Sequence, residues 1–186
     1  KYFFLKPFSI AFRGAHYGRY GKDAFNDLFY PLFLGYPGYM RGFDFNGLQN
    51  ISNFDDTFNS NDIQGTKMLL GGLELKVPFT GPERSALISS GYFFTELNWF
   101  IDAGITWNDG DNFFLEYNPS PLPSGNSDTG TFQESGPSNR FPVFSTGPSV
   151  RINLFGAIIL EPYYAIPFTF GQRFPGVWGL SFWPGW

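Results

Sequence analysis

The chain has 186 residues and a net charge of −4, and 22% of its residues are aromatic whereas only 15% are charged. Soluble domains usually carry about 25% charged residues. Because cysteine is absent, disulfides, thiolate chemistry and cysteine-based zinc sites are excluded. The acidic balance without a basic cluster argues against a nucleic-acid partner. No run of about 18 apolar residues is present, so the sequence predicts no transmembrane helix.

Six segments alternate apolar and polar residues with the period of two that is typical of β-strands. In the clearest one, Trp99 and Ile101 oppose Asn98 and Asp102. These segments are longer than the roughly 5 to 6 residues of an average strand, and a strand that crosses a membrane needs about 9 to 11. We therefore expect an all-β fold, an antiparallel transmembrane β-barrel with a polar interior. The predicted strands cover residues 2–20, 66–80, 91–107, 141–155, 157–169 and 177–186.

The connections between these strands alternate in length, as they do in outer-membrane barrels. The long segments 21–65 and 108–140 follow the first and third strands, so those strand ends are expected to face the outside of the cell. Segment 108–140 is acidic and rich in Ser, Pro, Gly and Asn, which predicts a solvated, mobile loop. Six strands are too few to close a membrane barrel. An open sheet edge would leave backbone groups unpaired in lipid, so we expect further strands from outside residues 1–186.

Four short motifs occur in a fixed order along this pattern. They are Arg41-Gly42-Phe43 in the first long loop, Gly71-Gly72-Leu73-Glu74, Phe100-Ile101-Asp102-Ala103-Gly104, and a terminal aromatic, Trp186, after GLSFWPG. In this order they resemble the polypeptide-transporting outer-membrane barrels of the BamA, TamA and FhaC type, the bacterial surface antigen family. Met40 stands where that family often has Val.

The resemblance implies a fold and a set of site residues. The chain would be the C-terminal six strands of a larger barrel, of sixteen strands in this family, with segment 21–65 folded back inside. Arg41, Gly42 and Phe43 would anchor that segment on the barrel wall. The wall partners implied are Glu74, Glu96, Phe100, Asp102 and Gly104. The last strand would carry the signal read by the barrel-assembly machinery, through Gly179, Phe182 and Trp186.

Physical chemistry favours these residue types for an anchor. A guanidinium stays charged and can bind a carboxylate through two parallel hydrogen bonds. Gly42 lets the backbone approach the wall closely, and Phe43 offers an apolar packing surface. The alternative interpretation is that Arg41 is an ordinary solvated loop residue.

Other features of the sequence point to no catalytic, metal or cofactor site. The single histidine, His16, has the strand parity of an outer-rim residue. The segment 109–112 (DGDN) fails the calcium-loop pattern because Phe113 stands where an oxygen ligand belongs. The five tryptophans are typical of the aromatic girdles at membrane interfaces. We therefore expect no enzyme activity in this chain and no cofactor.

The function implied by the resemblance is insertion or translocation of polypeptides at the bacterial outer membrane. The expected partners are the lipid bilayer, the remaining barrel strands, substrate polypeptides and periplasmic or lipoprotein accessory subunits. Two alternatives stay open: a barrel that anchors an N-terminal propeller or hydrolase domain, and a channel for small solutes. The residues that precede Lys1 would discriminate between them.

Overall fold

The computed structural model describes residues 2–5, 8–24, 29–36, 38–58, 60–81, 86–91, 93–119 and 138–184. Within these ranges the fold is mostly antiparallel β-sheet, with one α-helix, α1 (Phe45–Phe54), and one 3-10 helix (Ser60–Ile63). The strands in chain order are β1 (Tyr2–Leu5), β2 (Phe8–Gly18), β3 (Leu32–Phe33), β4 (Gln64–Gly65), β5 (Lys67–Gly81), β6 (Ile88–Ser89), β7 (Phe93–Trp107), β8 (Asn112–Phe113), β9 (Asn139–Arg140), β10 (Val143–Leu154), β11 (Ile158–Thr169) and β12 (Val177–Pro184).

One large sheet holds the long strands in the order β1-β2-β5-β7-β10-β11-β12, and every neighbouring pair on this path is antiparallel. Its register places Asp102 of β7 between Gly72 of β5 and Ser145 of β10. The sheet is open, because β1 and β12 form its two edges and do not pair with each other in the described part of the chain.

The predicted strand over residues 2–20 is two strands in the structure, which is a correction to the sequence analysis. β1 and β2 pair with each other, with Tyr2 opposite Ile10 and Leu5 opposite Phe8. In the sequence, Pro7 separates them, and proline has no backbone N–H to continue a ladder. The next four predicted strands correspond to β5, β7, β10 and β11, which begin and end within two residues of their predicted bounds. β12 begins at the predicted residue 177.

The two faces of the large sheet have opposite environments. One face, the outer face, is apolar and exposed: Phe12 is 80% exposed, Trp178 75% and Trp99 52%. The other face, the inner face, carries the ionisable residues, and Asp102 and Glu161 on it are buried at 0% and 3% exposure. A sheet in a water-soluble fold normally buries its apolar face and exposes its polar one, so this arrangement is inverted.

The inner face is covered by what we call the inner segment, residues 29–36, 38–58 and 60–66. The predicted loop 21–65 contains α1, which the sequence analysis missed. The side chain of Asp44 caps this helix by accepting a hydrogen bond of 2.8 Å from Gly47 N. The segment brings its own apolar side chains to the sheet. The buried core there comprises Leu34, Met40, Phe43, Ile51, Phe58, Ile63, Met68, Leu70, Phe141, Val143 and Phe174.

The sheet curls around the inner segment. Arg13 of β2 donates a hydrogen bond to the carbonyl of Gly38. From the far end of the sheet, Trp183 of β12 reaches the same residue, since a Cβ at Gly38 would lie 2.2 Å from its Cη2. β2 and β12, which lie at or next to opposite edges of the sheet, therefore both contact Gly38 of the inner segment.

No helix among the described residues has both the length and the apolar character needed to cross a membrane.

Candidate functional site

Arg41 is the centre of the contact between the inner segment and the sheet. Its Nε donates to Asp102 Oδ2 at 2.8 Å and its Nη2 to Asp102 Oδ1 at 3.0 Å, so the pair is bidentate. The Arg41 side chain is 10% exposed and that of Asp102 is fully buried. The guanidinium therefore lies where the sequence analysis expected it, against the carboxylate of Asp102, and not in solvent.

Two further carboxylates complete the surroundings of Arg41. Its Nη2 lies 2.9 Å from Glu74 Oε1, and its Nη1 donates to Glu161 Oε1 at 3.0 Å. Burial alone would lower the pKa of Arg41, but the hydrogen bonds and charge of Asp102, with Glu74 and Glu161, raise it above its ordinary value. The cation is thus bound by three strands at once, β5, β7 and β11.

The three carboxylates around Arg41 are shared with a second set of cations, which for Asp102 is Arg13, whose Nη2 lies 3.7 Å from Asp102 Oδ1. Arg151 donates to Glu161 Oε2 at 2.7 Å and 3.1 Å, and Lys76 lies 2.9 Å from Glu74 Oε2. Ser149 adds a hydrogen bond of 2.9 Å to Glu161. Because each buried carboxylate has a cation or hydroxyl partner, the cost of removing these charges from water is offset within the network.

Phe100, a predicted wall residue, contacts one flat side of the Arg41 guanidinium with its ring. The Arg41 Cζ lies 3.8 Å from the centroid of the Phe100 ring, in the position of a cation–π contact. Phe100 is fully buried, and its ring meets that of Tyr163 edge-on at 6.3 Å between centroids. The planar guanidinium is therefore fixed in orientation by an aromatic face as well as by its carboxylates.

Glycines let the inner segment lie directly on the sheet. Gly42 has a φ of +85°, which favours glycine, and a Cβ there would lie 2.8 Å from the Cβ of Ala165. On β7, a Cβ at Gly104 would lie 2.5 Å from the Sδ of Met40. Gly42 follows Arg41 in the chain and Gly104 contacts Met40, which precedes it, so both predicted glycines allow close contact beside Arg41.

Phe43 and Asp44 extend the contact beyond Arg41. Phe43 is fully buried, and its ring centroid lies 6.3 Å from that of Phe58. Asp44 Oδ2 accepts a hydrogen bond of 2.9 Å from the hydroxyl of Tyr163 on β11. Residues 41 to 44 thus form a continuous anchor of ion pair, close backbone contact, apolar side chain and hydrogen bond.

Glu96, predicted as a wall partner, lies on the inner face but does not contact Arg41. Its carboxylate is 33% exposed and lies 3.7 Å from Arg151 Nη1. Glu161, by contrast, binds Arg41 directly and was missed, because segment 157–169 is mostly apolar on both faces in the sequence and a single acidic residue in it does not mark which face is polar.

A second group of contacts holds the inner segment at the end of the sheet where β7 ends and β10 begins, which we call the outer end. Arg140 of β9 pairs with Asp111 at 2.6 Å and donates to the carbonyls of Asn61 and Gln64 at 2.7 and 2.8 Å. Tyr117 donates a hydrogen bond of 2.8 Å to Asp55. Tyr117 also packs against Phe58, Phe141 and Phe174.

These contacts bear on part of the predicted mobile, solvated loop 108–140, of which residues 120–137 lie outside the described residues. Tyr117 and Arg140 have specific partners in the inner segment, whereas most of residues 109–118 are exposed, so the described part is solvated but held at these two points. In segment 109–112, Asp111 is engaged by Arg140, and Asp109 is paired with Lys67. Among the described residues, no cluster of His, Asp or Glu is arranged to hold a metal ion.

The remaining predicted residues lie away from Arg41. Gly179 packs under Tyr163, since a Cβ there would lie 2.1 Å from the Tyr163 Cζ, and Phe182 is 64% exposed on the outer face. Trp186, the third residue of the predicted assembly signal, lies outside the described residues. His16 is on the outer face of β2, where its ring stacks on Trp107 at 5.7 Å.

Comparison with known proteins adds no relative: no family model matches this chain, and neither the curated proteins nor the solved structures contain a match.

Proposed function

We propose that this chain is a sector of a bacterial outer-membrane β-barrel that takes part in the insertion or translocation of polypeptides. One observation carries the membrane part of this proposal, the inversion of the two sheet faces. The charged face is covered and the apolar face is exposed, which is the order that a barrel in lipid requires.

The exposed apolar residues form a continuous surface across neighbouring strands. Phe12 of β2 is opposite Leu73 of β5, which in turn is opposite Ile101 of β7. These three side chains are 80%, 44% and 44% exposed. Proteins that stay in water rarely expose contiguous apolar patches larger than a few hundred Å², so a bilayer is the environment that fits this face.

The role in polypeptide transport rests on the order of the motifs in the sequence and on the anchored inner segment. The segment lies against the inner face of the open sheet and contributes a buried core around Met40, Phe43 and Phe58. If further strands close the sheet into a barrel, the segment would fill part of its interior, which argues against an open channel for small solutes. A barrel that only anchors another domain is the remaining alternative, and it needs no buried anchor of this kind.

The proposal requires partners at both edges of the sheet. β1 and β12 would pair with further strands of the same barrel, because unpaired backbone groups cannot remain in lipid. Substrate polypeptides and periplasmic or lipoprotein accessory subunits are the other proposed partners.

The membrane part is tested with two neighbouring positions of β7. Leu97 lies on the outer face and is 42% exposed, and Glu96 lies on the inner face. Since the chain has no cysteine, Leu97→Cys and Glu96→Cys each allow one fluorescent label in vesicles. We expect brominated phosphatidylcholine to quench the label at residue 97 and not the one at 96. Equal quenching at both positions would contradict the proposal.

The transport part is tested by adding an unfolded outer-membrane protein to vesicles that contain this protein. We expect faster appearance of the folded, protease-resistant substrate than in protein-free vesicles, and a slower rate with Arg41→Ala. Arg41→Lys serves as the second variant, because it keeps the charge but loses the bidentate geometry. Equal rates with and without the protein would reject the transport role and leave the barrel itself standing.

A further inference from the structure

A shallow groove crosses the outer face where β10 and β11 reach the outer end of the sheet. Ile166 and Phe168 form its apolar part, and the turn that follows β11 brings Gln172 and Arg173 to its upper rim. The volume of the groove, about 520 Å³, falls in the range of about 300–1,000 Å³ that small-molecule sites occupy. Ile166 and Phe168 also belong to the outer face of the sheet, which the proposed function assigns to lipid.

Aromatic rings mark the level of this groove. Phe144 stacks on Phe168 at 5.4 Å and meets Phe170 edge-on at 4.9 Å between centroids. Beside the groove, Trp99 Nε1 donates a hydrogen bond of 3.1 Å to the hydroxyl of Thr146, which lines it. Tryptophan, with an apolar ring and a polar N–H, is enriched where the hydrocarbon of a bilayer meets its headgroups, and Trp99 is the residue here of that type.

Arg173 is held at the rim by backbone structure. Thr169 N donates to the carbonyl of Gln172 at 2.8 Å, Phe174 N donates to that of Pro167 at 3.0 Å, and Phe168 forms a bridge with Arg173. The Arg173 side chain has no ion pair with any residue that the structure describes. Glu116 is bridged to Phe170 nearby, yet it forms no salt bridge with Arg173. The backbone that carries Arg173 is thus held beside the apolar groove, and its exposed guanidinium has no counter-charge among the described residues.

We infer that this groove binds a bilayer lipid with an anionic phosphate headgroup, with Arg173 on the phosphate and an acyl chain along Ile166 and Phe168. Arginine suits phosphate because its planar fork donates two parallel hydrogen bonds. The inference rests on the proposed function, since the groove meets lipid only if the outer face lies in a bilayer.

Trp99 provides a local probe of this lipid. The protein is placed in phosphatidylcholine vesicles that contain a small fraction of either brominated phosphatidylglycerol or brominated phosphatidylcholine. The emission of Trp99 is isolated as the difference between the protein and its Trp99→Phe variant. We expect stronger quenching by the anionic lipid, and Arg173→Gln should lower that preference about fivefold, as expected for one cation at an anionic lipid.

Lys22→Gln is the matched control, because Lys22 is an exposed cation of another loop and its loss changes the net charge equally. It should leave the preference intact. Equal quenching by both brominated lipids, or a preference that survives Arg173→Gln, would overturn the lipid site while the barrel proposal stands. Absence of quenching by either lipid would reject both proposals.

Discussion

Met40 of the inner segment lies against the one inward position of β7 near it that has no side chain. A Cβ at Gly104 would come within 2.5 Å of the Met40 Sδ and within 2.8 Å of Leu34 Cδ2. The contact joins the residue before Arg41 to the strand that carries Asp102. The lack of a side chain at Gly104 therefore allows Met40 and Leu34 of the inner segment to pack directly on β7.

We expect Gly104→Val to destabilise the protein by about 1–3 kcal/mol, the usual cost of adding methyl groups to a packed core. The matched control is Gly71→Val on β5, where a Cβ would meet nothing within 4 Å. The free energy of unfolding in urea, followed by tryptophan fluorescence, measures both. Equal effects of the two substitutions would mean that the segment does not rest on Gly104.

Glu161 is predicted to matter more than Glu96, although both lie on the inner face. Glu161 is 3% exposed and binds Arg41 and Arg151, whereas Glu96 is 3.7 Å from Arg151 and partly exposed. Glu161→Gln should cost about 3–5 kcal/mol, because it removes the charge of a buried carboxylate that Arg41 and Arg151 share. Glu96→Gln should cost about 0–1 kcal/mol. A reversed order in the unfolding free energies would contradict the network as described.

The sequence predicted the strands through period-two alternation, which also places Asp102 on the inner face. The contact of Arg41 with Asp102 was implied by the resemblance of the motifs to a barrel family, and the residue types fit it. The partner Glu161 leaves no such signal, since it stands between Leu160 and Pro162 in an apolar segment. Its role depends on how β11 lies across the inner segment, which only the tertiary structure reveals.

The helix α1 and the packed part of segment 108–140 were missed for similar reasons. Asp44 caps α1, but Gly47 stands where a capping box would have Glu or Gln. Helices of ten residues form mainly through tertiary packing. In segment 108–140 the polar composition suggested a solvated loop, and the aromatic run 113–117 (FFLEY) was the available sign that part of it packs.

The Tyr117–Asp55 contact predicts a pH dependence of stability. Burial raises the pKa of Asp55, but hydrogen bonds from Thr57 and Tyr117 outweigh it and lower the pKa below the ordinary value. A lowered carboxyl pKa gives stability that is present above the unfolded pKa of about 3.9 and is lost as pH falls through the folded value.

Burial is the largest cause that raises the pKa of Tyr117. The hydrogen bond with Thr57 lowers the pKa, and the hydrogen bond to Asp55 raises it further. A raised phenol pKa gives stability that is present below about pH 10 and is lost as pH rises through the folded value. Tyr117→Phe should therefore flatten the stability profile at both extremes. Urea unfolding between pH 3 and 11 tests this, and an unchanged profile would show that the contact contributes nothing.

The membrane orientation is testable with two cysteines at opposite ends of the sheet. Asn118 follows β8 at the outer end, and Ala157 lies in the exposed turn between β10 and β11. On intact cells, a membrane-impermeant thiol reagent should label Asn118→Cys and reach Ala157→Cys only after the outer membrane is permeabilised. The opposite labelling pattern would reverse the proposed topology.

The central claim is that the buried pair of Arg41 and Asp102 holds the inner segment inside the sheet. It is tested most directly by a double-mutant cycle with Arg41→Ala, Asp102→Ala and the combined variant, measured as free energies of unfolding. Each single change should cost about 3–5 kcal/mol, because each removes one partner of the buried bidentate pair, and the double variant should be little less stable than either single one. Strictly additive losses, or single losses of about 0–1 kcal/mol as at a solvated pair, would contradict the claim.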